Sequence, residues 1–265
     1  MDDFTTEVAA SAVEQVSKDI YTDLAHPFVE STGAVLGLVP RAIRAALSPI
    51  EKWVLAKESN LAQIQQALDE KLKDTPADDI VTPEAYVGVP ALQAASYCVD
   101  NDELRNMYAN LLASSMKKQT KPYVHPSYAQ IIQQLSPDEA KLLKKINGMR
   151  NDIPVIDLNF ETKGQSGHVP IIKCFSPFVF EAGCDYPDHY PSYFGNLMRL
   201  GLIERPNGVF LVDKNAYEEI MSHPFIQQTR ESFESFGDLY SIKNKKGYIH
   251  LTAFGKGFCE ICLSS

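Results

Sequence analysis

Hydrophobic residues recur at helical spacing through the first part of the chain. Over residues 8–24 an apolar side chain returns every fourth position, and a second apolar stripe runs through residues 43–68. The segment 28–53 carries little charge and contains two prolines, so short helical pieces are expected there. This pattern predicts a helical N-terminal region over residues 1–75.

The next part, residues 76–150, is also predicted to be helical. It opens on a polar break at 74–79, and the chain up to Pro90 has little periodicity, which is typical of a linker or a surface strap. Helices are expected to resume at Ala91.

Helix start signals are strong in three places. Asp100 or Asn101 is placed to cap a helix over 103–118, and Thr252 to cap a last helix over 254–262. Residues 136–139 read Ser-Pro-Asp-Glu, which combines a serine cap, a proline at the first helical position and a glutamate that completes a capping box.

Residues 151–265 change in character and contain β-rich runs. Strands are predicted at 153–160, 169–175 and 209–212, with a turn at 164–167 between the first two. A hairpin is predicted from 239–243 and 248–251, around a turn at 244–247. Helices are expected at 192–200 and 216–221. The fold class is therefore expected to be mainly α with an α+β C-terminal part.

The order of these C-terminal elements resembles a winged helix, a relative of helix-turn-helix DNA readers. In that arrangement Asn196 and Arg199 would face base edges from the recognition helix. The hairpin tip, with Lys243, Lys245 and Lys246, would form the wing and contact phosphates. A DNA-binding regulator is therefore an alternative function.

The charge balance favours a simpler interpretation of these lysines as a solvated turn. The net charge is −9, and residues 151–265 hold ten Lys and Arg against fourteen Asp and Glu. Such a field opposes a polyanion.

The five cysteines are odd in number, and no signal peptide pattern opens the sequence. Cys259 and Cys262 form a C-x-x-C pair that, with Cys174 and Cys184, could supply four zinc ligands. Since a second C-x-x-C pair is missing, buried thiols are the expected state, along with Cys98, in a reducing cytoplasm. No cofactor or metal is predicted.

One loop offers acid–base chemistry. Asp185, Asp188 and His189 lie close together in a tyrosine-rich stretch, and polar groups on a positioned loop are often functional. A merely polar loop has the same composition. Since no phosphate-binding, nucleophile or dinucleotide motif accompanies it, no catalytic site is assigned and the protein is not expected to be an enzyme.

The low-charge segment 28–53 has one functional alternative to burial. With Arg41, Arg44 and Trp53 on a mostly apolar ribbon, it could lie on a membrane surface or against a partner. Burial in a helical bundle is the expected state. No stretch reaches the roughly 18 apolar residues of a membrane-spanning helix, so the protein is expected to be cytoplasmic.

Four ordered motifs resemble the abortive-infection alpha family of bacterial phage defence. They are 90–97 (PALQAASY), 103–116 (ELRNMYANLLASSM), 124–128 (VHPSY) and 131–140 (IIQQLSPDEA), and the runs 200–203 and 251–259 are similar to its C-terminal region. The resemblance implies a bacterial or phage-borne protein with a role in phage resistance. It implies no activity, substrate or catalytic residue.

Together these observations predict a non-enzymatic protein of phage defence. It is expected to have a helical N-terminal region and a winged-helix-like C-terminal domain, and to act through protein contacts, self-association or membrane contact.

Overall fold

The computed structural model describes residues 58–95, 101–149, 151–162, 167–213, 215–234 and 240–263. The predicted helix at 8–24 and the segment 28–53, with Arg41, Arg44 and Trp53, lie outside these residues. The chain divides into two compact units, one comprising 1–133 together with 261–265 and the other comprising 134–260. The division into 1–75, 76–150 and 151–265 stays a prediction.

The described part of the first unit is helical. Its helices are α1 (Glu58–Leu72), α2 (Ala85–Ala95), α3 (Asp102–Ser115) and α4 (Tyr128–Gln133), with 3₁₀ turns at Ala77–Asp79 and Lys121–Tyr123. Helix α3 packs against α1, α2 and α4 and buries Met107, Tyr108 and Leu111 completely or nearly so. It therefore forms the centre of this unit.

The predicted cap of α3 is confirmed at Asn101, whose Oδ1 accepts a hydrogen bond from the Leu104 N–H at 3.0 Å. The predicted linker is partly wrong, because α2 begins at Ala85 rather than at Ala91 and contains Pro90. A proline there forfeits one intrahelical hydrogen bond. The buried side chains of Val87 and Leu92 hold the helix in place despite that loss.

Two polar side chains of α3 reach the end of the last helix, α10 (Ala253–Cys262). The amide of Asn110 donates to the carbonyl of Cys262 at 2.9 Å, and the hydroxyl of Ser114 donates to the carbonyl of Ile261 at 3.3 Å. The last carbonyls of a helix have no partner within the helix. Asn110 and Ser114 supply that partner.

The second unit combines helices with a four-stranded antiparallel sheet. Its elements in chain order are α5 (Pro137–Asn147), β1 (Ile153–Thr162), β2 (His168–Phe175), α6 (Phe178–Glu181), α7 (Tyr190–Arg199), β3 (Ile203–Glu204), α8 (Glu218–Ser222), α9 (Pro224–Glu234) and β4 (Tyr240–Leu251). The prediction of a mainly α protein with an α+β C-terminal part is confirmed.

The capping box of α5 is also confirmed. The Glu139 N–H donates to Ser136 Oγ at 3.2 Å, and the Ser136 N–H donates to the Glu139 carboxylate at 2.7 Å. Both residues form the reciprocal hydrogen bonds that their spacing predicts.

The strand order in the sheet is β2-β1-β4-β3. The long strand β1 lies between β2 and β4 and buries Val155, Ile156 and Leu158. It pairs with β4 without interruption, from Ile153 opposite Ile249 to Thr162 opposite Tyr240.

The predicted hairpin at 239–251 is therefore wrong. Residues 244–247 continue the strand instead of turning, because β1 offers a hydrogen-bonding partner along its whole length. The winged-helix arrangement is not confirmed, since its predicted wing is one continuous strand. The predicted strand at 209–212 is also wrong in that no described strand pairs with it.

A tight junction joins β3, β4 and the start of α10. The N–H of Thr252 donates to the Leu202 carbonyl at 3.1 Å, and its hydroxyl donates to the Gly201 carbonyl at 2.6 Å. The same hydroxyl accepts from the Gly255 N–H at 2.8 Å, which confirms Thr252 as the cap of α10. A Cβ placed on Gly255 would lie 1.9 Å from the carbonyl oxygen of Leu202. This position therefore requires glycine.

Candidate interaction surface

Residues 209–212, Val-Phe-Leu-Val, form an exposed apolar segment. The exposed fractions are 43% for Val209, 59% for Phe210 and 94% for Val212, and Leu211 is half-buried. Burying one such side chain stabilises a protein by about 1.5–3 kcal/mol relative to leaving it exposed. Contiguous exposed apolar residues are typical of contact surfaces.

The 209–212 segment borders an open groove of about 540 Å³. The groove is lined by Phe210, Leu211, Val212, Tyr217, Glu218, Met221 and Lys246. Most of this lining is apolar, while Glu218 and Lys246 add one charge of each sign. We call the 209–212 segment and this groove together the apolar groove.

Tyr217 fixes the floor of the apolar groove. Its hydroxyl accepts from the Leu211 N–H at 2.9 Å and donates to the Gly247 carbonyl of β4 at 2.9 Å, so it bridges the two backbones. Burial raises the pKa of Tyr217. The ammonium of Lys246 lies 4.7 Å from the centre of the Tyr217 ring, a cation–π contact.

Changing Tyr217 to Phe is expected to lower the free energy of unfolding by about 1–3 kcal/mol, because the Leu211 N–H and the Gly247 carbonyl lose their shared partner. Urea unfolding measures the loss, and amide exchange at Leu211 should accelerate. Tyr86→Phe is the control, since Tyr86 is 60% exposed. Equal stability of the Tyr217→Phe and Tyr86→Phe proteins would contradict the bridging role.

Arg205 anchors the start of the loop that leads to the apolar groove. Its guanidinium donates to both Asp157 carboxylate oxygens, at 2.7 and 3.0 Å, and passes over Gly247, where a Cβ would lie 2.8 Å from Arg205 Nε. Burial lowers the pKa of Arg205, but the contact with Asp157 outweighs burial and raises it. Asp157 also accepts from the Cys174 N–H at 2.8 Å.

The three lysines of the predicted wing lie instead on strand β4. Lys243 pairs with Glu161 at 2.5 Å, Lys246 covers the Tyr217 ring, and Lys245 is exposed and in register opposite Asp157. The structure thus spreads them along a strand and does not gather them at a tip.

Asn196 and Arg199, the predicted readers of base edges, bind each other and Gln134. The Asn196 amide donates to the Gln134 carbonyl at 2.9 Å, and Arg199 donates to Asn196 Oδ1 and to the Gln134 side chain at 2.6 to 3.0 Å. These contacts attach α7 to the segment that precedes α5.

The Asp185, Asp188 and His189 loop is held by a buried carboxylate, that of Asp138. The N–H groups of Asp185 and Tyr186 donate to Asp138 at 2.8 and 2.9 Å. The Tyr193 hydroxyl donates to it at 2.8 Å. Burial would raise the pKa of Asp138, but these hydrogen bonds and Lys141 together lower it below its usual value.

The exposed side chains of the same loop contact their neighbours. Asp185 pairs with Lys141 at 2.9 Å, and the His189 ring stacks on Tyr186 with centroids 5.7 Å apart. Asp185, Asp188 and His189 are all exposed. The structure therefore shows how this loop is positioned, and it assigns the central role to Asp138.

The described cysteines Cys174, Cys184, Cys259 and Cys262 are free thiols, and Cys98 lies outside the described residues. Burial raises the pKa of Cys174 and of Cys259 to about 12, which makes both poor nucleophiles. Among the described residues, no group of three or more His, Cys, Asp or Glu side chains is arranged to hold a metal ion.

Within the part of the chain that the structure describes, no helix combines the length and apolar character that crossing a membrane requires.

Two features of the second unit are not predicted by the sequence: the role of Asp138 and the apolar groove. The sequence predicts for Asp138 only a place in the first turn of a helix, because its partners Asp185 and Tyr193 lie far along the chain. The apolar groove is not predicted, because Val209 to Val212 reads as a strand of the sheet. The sequence signal for this exposed segment is the run of four apolar residues that follows Gly208.

The described residues thus define a mainly helical α+β protein with an apolar groove in its second unit. The chain belongs to the abortive infection alpha family, whose model matches residues 56–262. A comparison with curated proteins and one with solved structures find no match. The family's description is abortive infection, a form of phage defence.

Family membership gives the motifs of the sequence a structural meaning. Asn110 and Ser114, in the motif at 103–116, bind the end of α10. The runs 200–203 and 251–259 meet at the junction of Thr252, Gly255 and Leu202. These motif residues have structural roles within their own units.

Proposed function

We propose that this protein acts in bacterial phage defence by abortive infection, and that it does so by binding a protein chain through the apolar groove. The observation that carries the proposal is the exposure of Phe210 and Val212 beside a groove lined by Tyr217 and Met221. A rigid apolar groove with a few charged groups at its rim is typical of a recognition site.

The way the groove is built supports this proposal. The Tyr217 hydroxyl holds the backbone at Leu211, and the Arg205–Asp157 pair holds the start of the loop, so two points of the segment beside the groove are attached to the sheet. Binding to a preorganised surface avoids part of the entropic cost of ordering it.

The expected location is the bacterial cytoplasm.

The proposal is tested by phage challenge of bacteria expressing the full chain, at low and at high phage-to-cell ratio. Wild-type protein should let the culture survive at low ratio and collapse early at high ratio. Val212→Asp should abolish survival at low ratio, since a charge on a contact surface must be desolvated on binding.

Val169→Asp is the matched control. Val169 lies on β2 away from the apolar groove and is 65% exposed, so the same substitution should leave protection unchanged. Both variants should unfold within about 2 °C of wild type, as surface changes usually cost under about 0.5 kcal/mol. If Val212→Asp protects as well as wild type, the apolar groove does not carry the defence.

A further inference from the structure

We infer that the apolar groove binds an extended segment of a partner protein, in which acidic and apolar residues alternate, and that this segment adds as a strand to an open edge of β4. This inference rests on the proposed function, because it names the kind of partner that binds the same surface.

Most of the length of β4 has one edge without a strand beside it. In the order β2-β1-β4-β3, the edge that faces away from β1 meets β3 only at the last two residues of β4. Tyr217 contacts β4 at Gly247. Among the described residues, no strand pairs with this edge from Lys246 back to Tyr240, and we call this stretch the free edge. An unpaired strand edge is a template for a further strand.

The backbone polar groups of Asn244 and Lys246 point to the free edge. Beyond the end of β4, the Thr252 N–H donates to the Leu202 carbonyl on the β3 side at 3.1 Å. Successive residues of a strand point their polar groups to opposite edges, and β4 pairs with β1 without a register shift. Every second residue before Thr252 therefore points away from β1, which includes Asn244 and Lys246. In the described part of the chain, no backbone group of another segment is hydrogen-bonded to either residue.

The apolar groove lies on one face of β4, beside these two residues. Lys246 lines the groove, and the amide nitrogen of the Asn244 side chain lies 3.4 Å from the sulfur of Met221, another lining residue. Side chains of a strand point alternately to the two faces of a sheet. Every second side chain of an added strand would therefore face the groove with its exposed Phe210 and Val212, where apolar side chains become buried.

The opposite face of β4 selects acidic residues. Lys243 and Lys245 alternate with Asn244 and Lys246, so their side chains lie on that face, and both are exposed. Lys243 pairs with Glu161, whereas Lys245 forms no ion pair within the described residues. Opposite charges on neighbouring strands attract each other. The side chains of the added strand that face these lysines are therefore acidic.

The distribution of charge also limits where the acidic residues can lie. Glu218 lines the apolar groove, so an acidic side chain on that face would meet a like charge. Residues 241–247 read Ser-Ile-Lys-Asn-Lys-Lys-Gly and contain no acidic residue. Two copies of β4 would therefore repel each other edge to edge, since like charges on opposite strands are destabilising. The free edge thus fits a segment of opposite charge from another protein.

The test uses the full chain and fluorescently labelled peptides in which Glu alternates with Val, Ile or Phe. Binding, measured by fluorescence anisotropy, should be saturable and at least about tenfold tighter than that of the same peptides with Lys in place of Glu. Methylation of alternate backbone nitrogens should abolish binding for one set of residues and spare it for the other, because only one edge of an added strand faces β4.

Amide exchange of the wild-type protein reports where the peptide binds. The N–H groups of Asn244 and Lys246 should exchange fast in the free protein and at least about tenfold more slowly when the Glu-containing peptide saturates it. Those of Lys243 and Lys245 face β1 and should be protected with and without peptide. A peptide attracted by charge alone would leave this alternation unchanged.

Lys245→Gln tests the contribution of charge and should weaken peptide binding about threefold, the size expected of one exposed ion pair. Lys173→Gln is the matched control. Lys173 is exposed on β2, at the other edge of the sheet, so its substitution should leave peptide binding unchanged.

The outcomes separate this inference from the proposed function. If no Glu-containing peptide slows exchange at Asn244 and Lys246, or if the Lys-containing peptides bind equally well, the free edge does not take an acidic strand and the inference is wrong. Loss of phage protection by Val212→Asp would in that case leave the proposed function standing, with a partner bound in another way. Peptide binding as expected, with full protection by Val212→Asp, supports the strand site and overturns the groove as the source of defence.

Discussion

Changing Gly255 to Ala is expected to destabilise the protein by at least about 3 kcal/mol and to prevent accumulation of folded protein at elevated temperature. The added Cβ would overlap the backbone carbonyl of Leu202, which lies 1.9 Å from its position. A flexible side chain could move aside, but Leu202 is held in backbone hydrogen bonds to Thr252 and Leu197. Helix α10 would have to shift away from β3 and lose its cap.

Gly195→Ala is the matched control for this prediction. Gly195 lies in helix α7, and a Cβ there would meet no atom within 4 Å. Alanine is favoured over glycine in a helix by roughly 0.5–1 kcal/mol, so this variant should be as stable as wild type or more so. Thermal or urea unfolding measures the stabilities of the two variants. Similar stabilities for both would show that the close approach of Gly255 to the Leu202 carbonyl is not needed to hold α10.

The second large effect is expected for Asp138. Changing it to Ala leaves the part-buried N–H groups of Asp185 and Tyr186 without their acceptor and removes the hydrogen bond from Tyr193. Hydrogen bonds to a charged group contribute about 1.5–3 kcal/mol each, and a buried donor without a partner is costly. A loss of about 3–5 kcal/mol in the free energy of unfolding is therefore expected, measured by urea unfolding near neutral pH.

The same carboxylate predicts a pH dependence. The pKa of Asp138 is lower in the folded protein than in the unfolded chain. The unfolded state therefore binds the proton more tightly, and the stabilisation is present above the unfolded pKa of about 3.9 and is lost as pH falls through the folded value. The stability difference between wild type and Asp138→Asn should be constant from pH 7 to about 5 and should shrink below about 4.

Asp185→Ala provides the control for Asp138. The side chain of Asp185 is 67% exposed in its pair with Lys141, so its removal should cost under about 1 kcal/mol. If Asp138→Ala costs no more than Asp185→Ala, or if the difference from Asp138→Asn does not change with pH, the buried carboxylate does not hold the loop.

The features that sequence predicts correctly are those decided by neighbours along the chain. Asn101, Ser136 and Thr252 cap their helices because each side chain lies three residues before the N–H that it accepts. Such chemistry is complete within one turn. The rest of the protein then has little influence on the outcome.

The errors arise where a distant segment decides between two local conformations. Residues 244–247 read as a hairpin turn, yet they pair with Val155 to Leu158 and stay extended. Gly247 is present because Arg205 crosses over it, which no turn preference reveals. Conversely, Val209 to Val212 reads as a strand, yet Tyr217 occupies the position from which β4 would pair with Leu211.

Asp138 illustrates the same limit for the site. Its place in the first turn of α5 explains its presence locally, and its partners Asp185, Tyr186 and Tyr193 are 47, 48 and 55 residues away. A carboxylate at the second position of a helix is common, because the positive end of the helix dipole stabilises its negative charge. Its second role becomes visible only when the loop is placed beside it.

The bond between Asn110 and the Cys262 carbonyl also has a consequence for synthesis of the protein. The two residues are 152 positions apart in the chain. At ribosomal rates of about 5–20 residues per second, α3 emerges roughly 8–30 s before its polar partner exists. During that interval the Asn110 amide lacks this acceptor, so the contact forms only after Cys262 has been translated. The unit that is translated first is therefore completed last.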